Sequence, residues 1–181
     1  MNDQRTQGIK EVTPANWLEV DPAWTGIHMP SASDGPGAAW ARYVMQTKLN
    51  GMVPDHVTTL FSVAQGMIVY GLFFYPLMTQ GCDQILRVIE TAVRAKCTQL
   101  DAPPSSTKTY VNALTWLVKQ GVISPDAETR WQAARMLRND VSHPSFQHIY
   151  SVGMMREQLE LGAMLINDLF PEPCQHISES R

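Results

Sequence analysis

A run of 22 residues without a charged side chain, from Val57 to Met78, constrains the fold of this chain most strongly. Its length is sufficient for a helix that crosses a bilayer, which takes about 20 apolar residues. Polar residues and a proline nevertheless interrupt the run: Thr58, Thr59, Ser62, Gln65 and Pro76. The basic clusters that usually accompany membrane helices do not flank it. We therefore predict a helix buried in a protein core, with a membrane span as the alternative.

The composition favours a folded protein with part of its surface covered. The chain has 181 residues, which suits a single domain, and 44% of them are hydrophobic. Only 17% are charged, compared with about 25% in an average soluble domain. This deficit suggests a face covered by a second copy or by lipid. The net charge of −3 excludes a protein that is basic throughout, so any contact with phosphate requires a local patch.

The cysteines and the N-terminus favour a reducing compartment. Cys82, Cys97 and Cys174 are an odd set without a CxxC pair, which does not suit a disulfide framework or a zinc site. Cys174 and His176 are two metal-ligand types, but no second pair is nearby. Residues 1–10 are polar and lack the apolar segment of a signal peptide. We expect a cytoplasmic protein without a metal or cofactor.

Hydrophobic spacing predicts an all-α fold. An irregular arm at residues 1–36 is expected to pack on a helical domain at 37–171, and a flexible tail follows at 172–181. The predicted helices span residues 38–49, 55–74, 77–100, 105–120, 124–141 and 152–169. Ser124 and Ser151 are predicted to cap the last two. No segment has the alternation of a strand. Short connections favour antiparallel neighbours, so we predict an up-and-down bundle of about five helices.

The helix predicted over residues 77–100 is the most clearly amphipathic. Asp83 with Arg87, and Glu90 with Arg94, are spaced four residues apart with the acid first, which is the favourable order on a helix. We expect both pairs to lie on a solvated face.

The stretch from Arg130 to Pro144 carries the candidate site. Arg130, Arg135 and Arg138 fall within nine residues, and His143 stands where Pro144 ends the helix. On a continuous helix Arg138 and His143 would point about 140° apart, and the break before the proline frees His143 to turn toward Arg138. The positions predicted to face the core are Ala134, Leu137 and Val141.

An arginine and a histidine that converge beside a cleft suit phosphodiester chemistry. Histidine transfers protons near neutral pH, and arginine binds phosphate oxygens and stabilises added negative charge. Asn139 can hydrogen-bond the phosphate or orient the imidazole. In the alternative interpretation, Arg138 pairs with an acid or with carbonyls at a helix end, and His143 is an ordinary turn residue.

The string from Leu137 to Pro144 resembles the signature of the HEPN superfamily. That signature is an arginine followed directly by a polar residue, often asparagine, and a few residues later by a histidine; Arg138, Asn139 and His143 match it. The order of other segments is similar to bacterial stand-alone HEPN-like proteins over residues 55–170: Tyr70–Leu77, the helix around Glu90 and Arg94, Tyr110–Trp116, Gly121–Ile123 and Trp131. Residues 1–50 lie outside the resemblance. Asp140 stands inside the motif, where its carboxylate repels phosphate or restrains Arg138.

The resemblance implies a helical bundle that forms a homodimer, with the motifs of both copies lining one cleft. Many HEPN proteins are metal-independent endoribonucleases of toxin–antitoxin, phage-defence or RNA-processing systems. In such an enzyme His143 deprotonates the 2′-hydroxyl or protonates the leaving 5′-oxygen, while Arg138 holds the scissile phosphate and Asn139 supports it. The products carry a 2′,3′-cyclic phosphate and a 5′-hydroxyl, and DNA is spared because it lacks the 2′-hydroxyl.

Further residues complete the predicted site and its partners. The residues expected to bind substrate are Arg130, Arg135, Ser142 and His148. The partners implied are RNA and a cognate antitoxin or other protein. Other HEPN domains bind without cleaving, so the alternative is a non-catalytic helical module whose Arg–His cleft holds a nucleotide or a protein. A third interpretation is a structural dimer whose polar motif satisfies helix ends.

Overall fold

The computed structural model describes residues 9–27, 33, 35–142 and 149–173. Within these ranges the chain is all-α, as the hydrophobic spacing predicts, with a 3-10 helix at Pro22–Trp24 before seven α-helices and no strand. The α-helices are α1 (Pro36–Met45), α2 (Asp55–Tyr70), α3 (Pro76–Gln99), α4 (Pro104–Thr107), α5 (Tyr110–Lys119), α6 (Pro125–Ser142) and α7 (Val152–Leu169). The predicted count of about five is therefore too low.

Local capping explains part of the difference in helix count. A single helix is predicted at residues 105–120, but Thr109 adopts an extended backbone and its side chain accepts a hydrogen bond from the amide of Asn112. This N-cap starts α5 and separates it from the one-turn helix α4. The caps predicted at Ser124 and Ser151 are confirmed, because their hydroxyls accept from the amides of Ala127 and Met154.

The uncharged run is divided between two helices. α2 ends at Tyr70 rather than at Phe74, and α3 begins at Pro76. Between them Gly71 lies so close to Met78 that a Cβ there would come within 2.9 Å of its atoms. The apolar face of α2 is buried at Val57, Phe61, Ala64 and Ile68, as predicted for a core helix. Among the described residues, no helix combines the length and hydropathy that crossing a membrane requires.

Helix α3 is the centre of the fold, because α2, α5, α6 and α7 all pack against it. Two glycines permit close approach. A Cβ on Gly81 would lie 2.5 Å from the side chain of Ile68 in α2, and a Cβ on Gly162 of α7 would collide with Ile85. Because four helices pack against α3, some of its polar residues also face neighbouring helices, and Glu90 is the important case.

The segment before α1 is attached to the turn between α2 and α3. Asp21 is buried, and its carboxylate accepts a hydrogen bond from the amide of Tyr75 at 2.8 Å. The indole of Trp24 donates to the carbonyl of Gly71, and the ammonium of Lys10 donates to that of Phe73. These contacts provide hydrogen bonds for backbone groups of the turn that have no partner within a helix.

Candidate functional site

The register of α6 places Arg138 on the side of the helix that faces the core. Trp131, Ala134 and Val141 are buried, and steps of three and four residues connect them through Arg138. Leu137, predicted to face the core, is instead 41% exposed. That prediction is wrong because it places the more apolar of two neighbours, Leu137 rather than Arg138, in the core. An arginine on a core-facing stripe requires a partner for its charge.

The partner of Arg138 is Glu90 of α3. One carboxylate oxygen, Oε2, lies 2.6 Å from Nε of Arg138. The other, Oε1, accepts from Nε and Nη2 of Arg94 at 3.0 and 2.8 Å. The side chain of Glu90 is only 12% exposed, so the Glu90–Arg94 pair does not lie on a solvated face as predicted. A single carboxylate thus joins an arginine of its own helix to one of α6.

Two more side chains complete this group. Tyr110 begins α5, and its hydroxyl is buried without a hydrogen-bond partner among the described residues. Burial, and then the negative charge of Glu90, raise the pKa of Tyr110, while the positive charges of Arg138, Arg135 and Arg94 lower it. Tyr110 is therefore a neutral phenol next to these charges. We call Glu90, Arg94, Tyr110, Arg135 and Arg138 the Glu90 cluster.

The Glu90 cluster contains three arginines and one glutamate, so its side chains carry more positive than negative charge. Arg135 also donates from Nε to the side-chain oxygen of Gln132 at 2.9 Å, which leaves its charge intact. Asn139 and Asp140 follow Arg138 as exposed residues. Asp140 adds a carboxylate at this end of α6.

The remaining predicted site residues are not all brought together. Arg130 is exposed near the start of α6, with Nη1 4.0 Å from the sulfur of Met164, about 12 Å along the helix from Arg138. The structure thus separates Arg130 from the Glu90 cluster. Ser142 is the last residue of α6. His143 and His148 lie outside the described residues.

Two surface grooves meet at Arg94. One, of about 520 Å³, is lined by Arg94, Thr98, Asp101, Ala102, Pro104 and Thr107. The other, of about 480 Å³, is lined by Pro54, His56, Thr91, Arg94, Ala95, Thr98 and Gln99. These grooves, and the role of Glu90, were not predicted from the sequence. One signal for Glu90 was available in the sequence. The helical spacing of Trp131, Ala134, Arg138 and Val141 places Arg138 on the core-facing side of α6, where its charge requires an acidic partner.

In the part of the chain that the structure describes, no three His, Cys, Asp or Glu side chains are grouped as a metal site would need. Cys174 and His176 lie outside that part. Comparisons with protein-family models, curated proteins and solved structures found no match. The structure thus establishes an all-helical protein, and membership of the HEPN superfamily stays a prediction from the sequence.

Proposed function

We propose that this protein is an HEPN-like homodimer that binds RNA and cleaves it without a metal ion, as toxin and defence ribonucleases do. The observation that carries the proposal is the placement of Arg138. Its guanidinium is held by Glu90 at the end of α6, five residues before His143 and directly before the exposed Asn139. A fixed cation beside a histidine-bearing segment suits a phosphodiester substrate.

The proposed reaction is an internal transesterification. His143 removes the proton of a ribose 2′-hydroxyl, and the 2′-oxygen attacks the adjacent phosphorus. The bond from phosphorus to the 5′-oxygen breaks, and that oxygen takes a proton from an imidazolium, which is His143 of the same or of the second copy. Arg138 and Asn139 hold the phosphate oxygens as negative charge builds up. Ser142, Arg135 and His148 contribute to substrate binding.

The outward face of α6 supports the homodimer in this proposal. Met136 is 60% exposed and Leu137 is 41% exposed, on the helix that carries Arg138 and Asn139. Large apolar side chains on such a face lose contact with water when a second copy covers them. A dimer through α6 would bring the two motifs near each other and would account for the low charged fraction of the chain.

One observation favours a second candidate function, a non-catalytic binding module. The ion pair with Glu90 compensates the charge of Arg138, and Asp140 adds a negative charge beside it. With these two carboxylates near Arg138, the site suits binding of a nucleotide or a protein. It is less suited to stabilising the extra negative charge of the transition state of cleavage. The two candidates share the same residues and differ in whether product forms.

The test is incubation of the purified protein with labelled single-stranded RNAs in EDTA. The wild type is compared with Arg138→Ala and His143→Ala, and with Lys119→Ala as a control that removes an exposed charge at the far end of α5. We expect cleavage by the wild type and the control, and a loss of at least about a hundredfold in both site variants. Binding without cleavage would support the second candidate. Neither binding nor cleavage across varied RNAs would contradict both.

A further inference from the structure

Arg94 is a preorganised cation on the surface next to Arg138. Its Nε and Nη2 donate to Glu90, and its Nη1 donates to the carbonyl of Thr107 at 2.7 Å. These contacts fix the plane of the guanidinium, yet the side chain remains 41% exposed. Because they use only some of its five N–H groups, donors remain for a ligand.

The distance between Arg94 and Arg138 is limited by the carboxylate that they share. Each arginine touches a different oxygen of Glu90, so the contacting nitrogens lie no more than about 8 Å apart. Successive phosphates of an extended nucleic acid strand are separated by a similar distance. Two phosphates of one strand can therefore contact the two arginines at the same time.

The grooves on either side of Arg94 differ in chemistry. Asp101 and Thr107 give the first groove a carboxylate and hydroxyl and carbonyl oxygens, which accept hydrogen bonds from the N–H groups of a base. Asp101 follows α3 with a φ of 53°, in the left-handed region that ends many helices. His56 gives the second groove an aromatic ring on which a base can stack, and Pro54 adds an apolar surface.

From this arrangement we infer that Arg94 binds a second phosphate of single-stranded RNA, next to the one at Arg138, and that the two grooves hold the flanking nucleotides. The inference rests on the proposed function, since it extends the same site by one nucleotide step. It assigns to Arg94 a role in substrate binding in addition to its contact with Glu90.

The experiment is an NMR titration of the full-length protein with two 2′-O-methyl oligonucleotides, which resist cleavage. One is a dinucleotide with a single internal phosphate, and the other is a trinucleotide with two. We expect the wild type to bind the trinucleotide about tenfold more tightly, since it gains a charge-assisted contact. The amide signals of Thr98 and Asp101 should shift with the trinucleotide and much less with the dinucleotide.

Two variants separate this inference from the proposed function. Arg94→Gln leaves Glu90 paired with Arg138, so the fold is retained, and the tenfold preference for the trinucleotide should disappear. Arg138→Gln should weaken the binding of both oligonucleotides by a similar factor. If Arg138→Gln has that effect while Arg94→Gln keeps the preference, the inference fails and the proposed function stands. If the wild type binds neither oligonucleotide, both are overturned.

A third variant guards against an indirect effect of removing Arg94. Thr98 is exposed and borders both grooves, so Thr98→Glu should repel the strand and weaken trinucleotide binding several-fold. Gln120→Glu adds the same charge near the end of α5 and borders neither groove, so it should bind as the wild type does. Equal effects of these two substitutions would overturn the inference.

Discussion

At the scale of single residues, the site depends on Glu90, because its carboxylate contacts both Arg94 and Arg138. Its two oxygens serve different helices, so it fixes a cation of α6 relative to α3. Which acid pairs with Arg138 could not be predicted from the sequence, since Glu90 and Arg94 follow the spacing of an ordinary surface pair. Only the packing of α6 against α3 makes that pair half-buried.

The substitution Glu90→Gln tests this role. It removes the negative charge that two half-buried guanidinium groups share, so we expect the free energy of unfolding to fall by about 1–3 kcal/mol in urea titrations. Glu160→Gln is the matched control, because Glu160 pairs with Arg156 on the surface. Its cost should stay below about 1 kcal/mol. Similar losses in both variants would show that Glu90 is an ordinary surface acid.

The buried thiol of Cys82 predicts a dependence of stability on alkaline pH. Burial raises the pKa of Cys82 to about 12 in the folded protein, from the ordinary thiol value of 9.0 that we expect in the unfolded chain. Between these values the unfolded chain binds fewer protons, so stability falls as pH rises above 9, by up to about 1.4 kcal/mol per pH unit from this group. Cys82→Ala should be less stable at pH 7 and show a shallower fall in denaturation measured from pH 8 to 11. An unchanged slope would contradict this origin.

At the scale of elements, hydrophobic periodicity was sufficient to predict most helices. The hydroxyl caps were sufficient to predict where α6 and α7 begin. Periodicity gave the wrong inward-facing residue in α6. Leu137 and Arg138 are neighbours, and a pattern of apolar residues assigns the leucine inward. In the structure Arg138 instead points inward and lies half-buried against Glu90. The division of α4 from α5 was also missed, because it depends on the extended backbone of Thr109.

The contact between α7 and α3 predicts opposite effects at two glycines of α7. Gly162→Ala places a methyl group against Ile85, so it should destabilise the protein by about 1–3 kcal/mol. A Cβ at Gly153 meets only the hydroxyl of Ser151 at 3.8 Å, an ordinary contact. Gly153→Ala should therefore be neutral or stabilise by up to about 1 kcal/mol. Thermal unfolding of both variants checks the packing, and a neutral Gly162→Ala would contradict it.

At the scale of the whole molecule, the proposed dimer connects the low charged fraction with the exposed apolar face of α6. Met136→Glu places a charge on that face without touching the core, since the residue is 60% exposed. We expect this variant to sediment as a folded monomer. Met52→Glu is the control, because Met52 is also exposed, at 52%, but belongs to the segment before α2 and not to α6. A wild-type protein that sediments as a monomer would contradict the proposed dimer.

The central claim is that Arg138 and His143 form a site that cleaves RNA through its own 2′-hydroxyl. The most direct measurement is analysis by mass spectrometry of the ends formed when the dimer acts on a defined RNA in EDTA. We predict 2′,3′-cyclic phosphate and 5′-hydroxyl ends, and no product when every ribose of that RNA is replaced by 2′-deoxyribose. Cleavage of the deoxy strand, or products with 5′-phosphate ends, would contradict the claim.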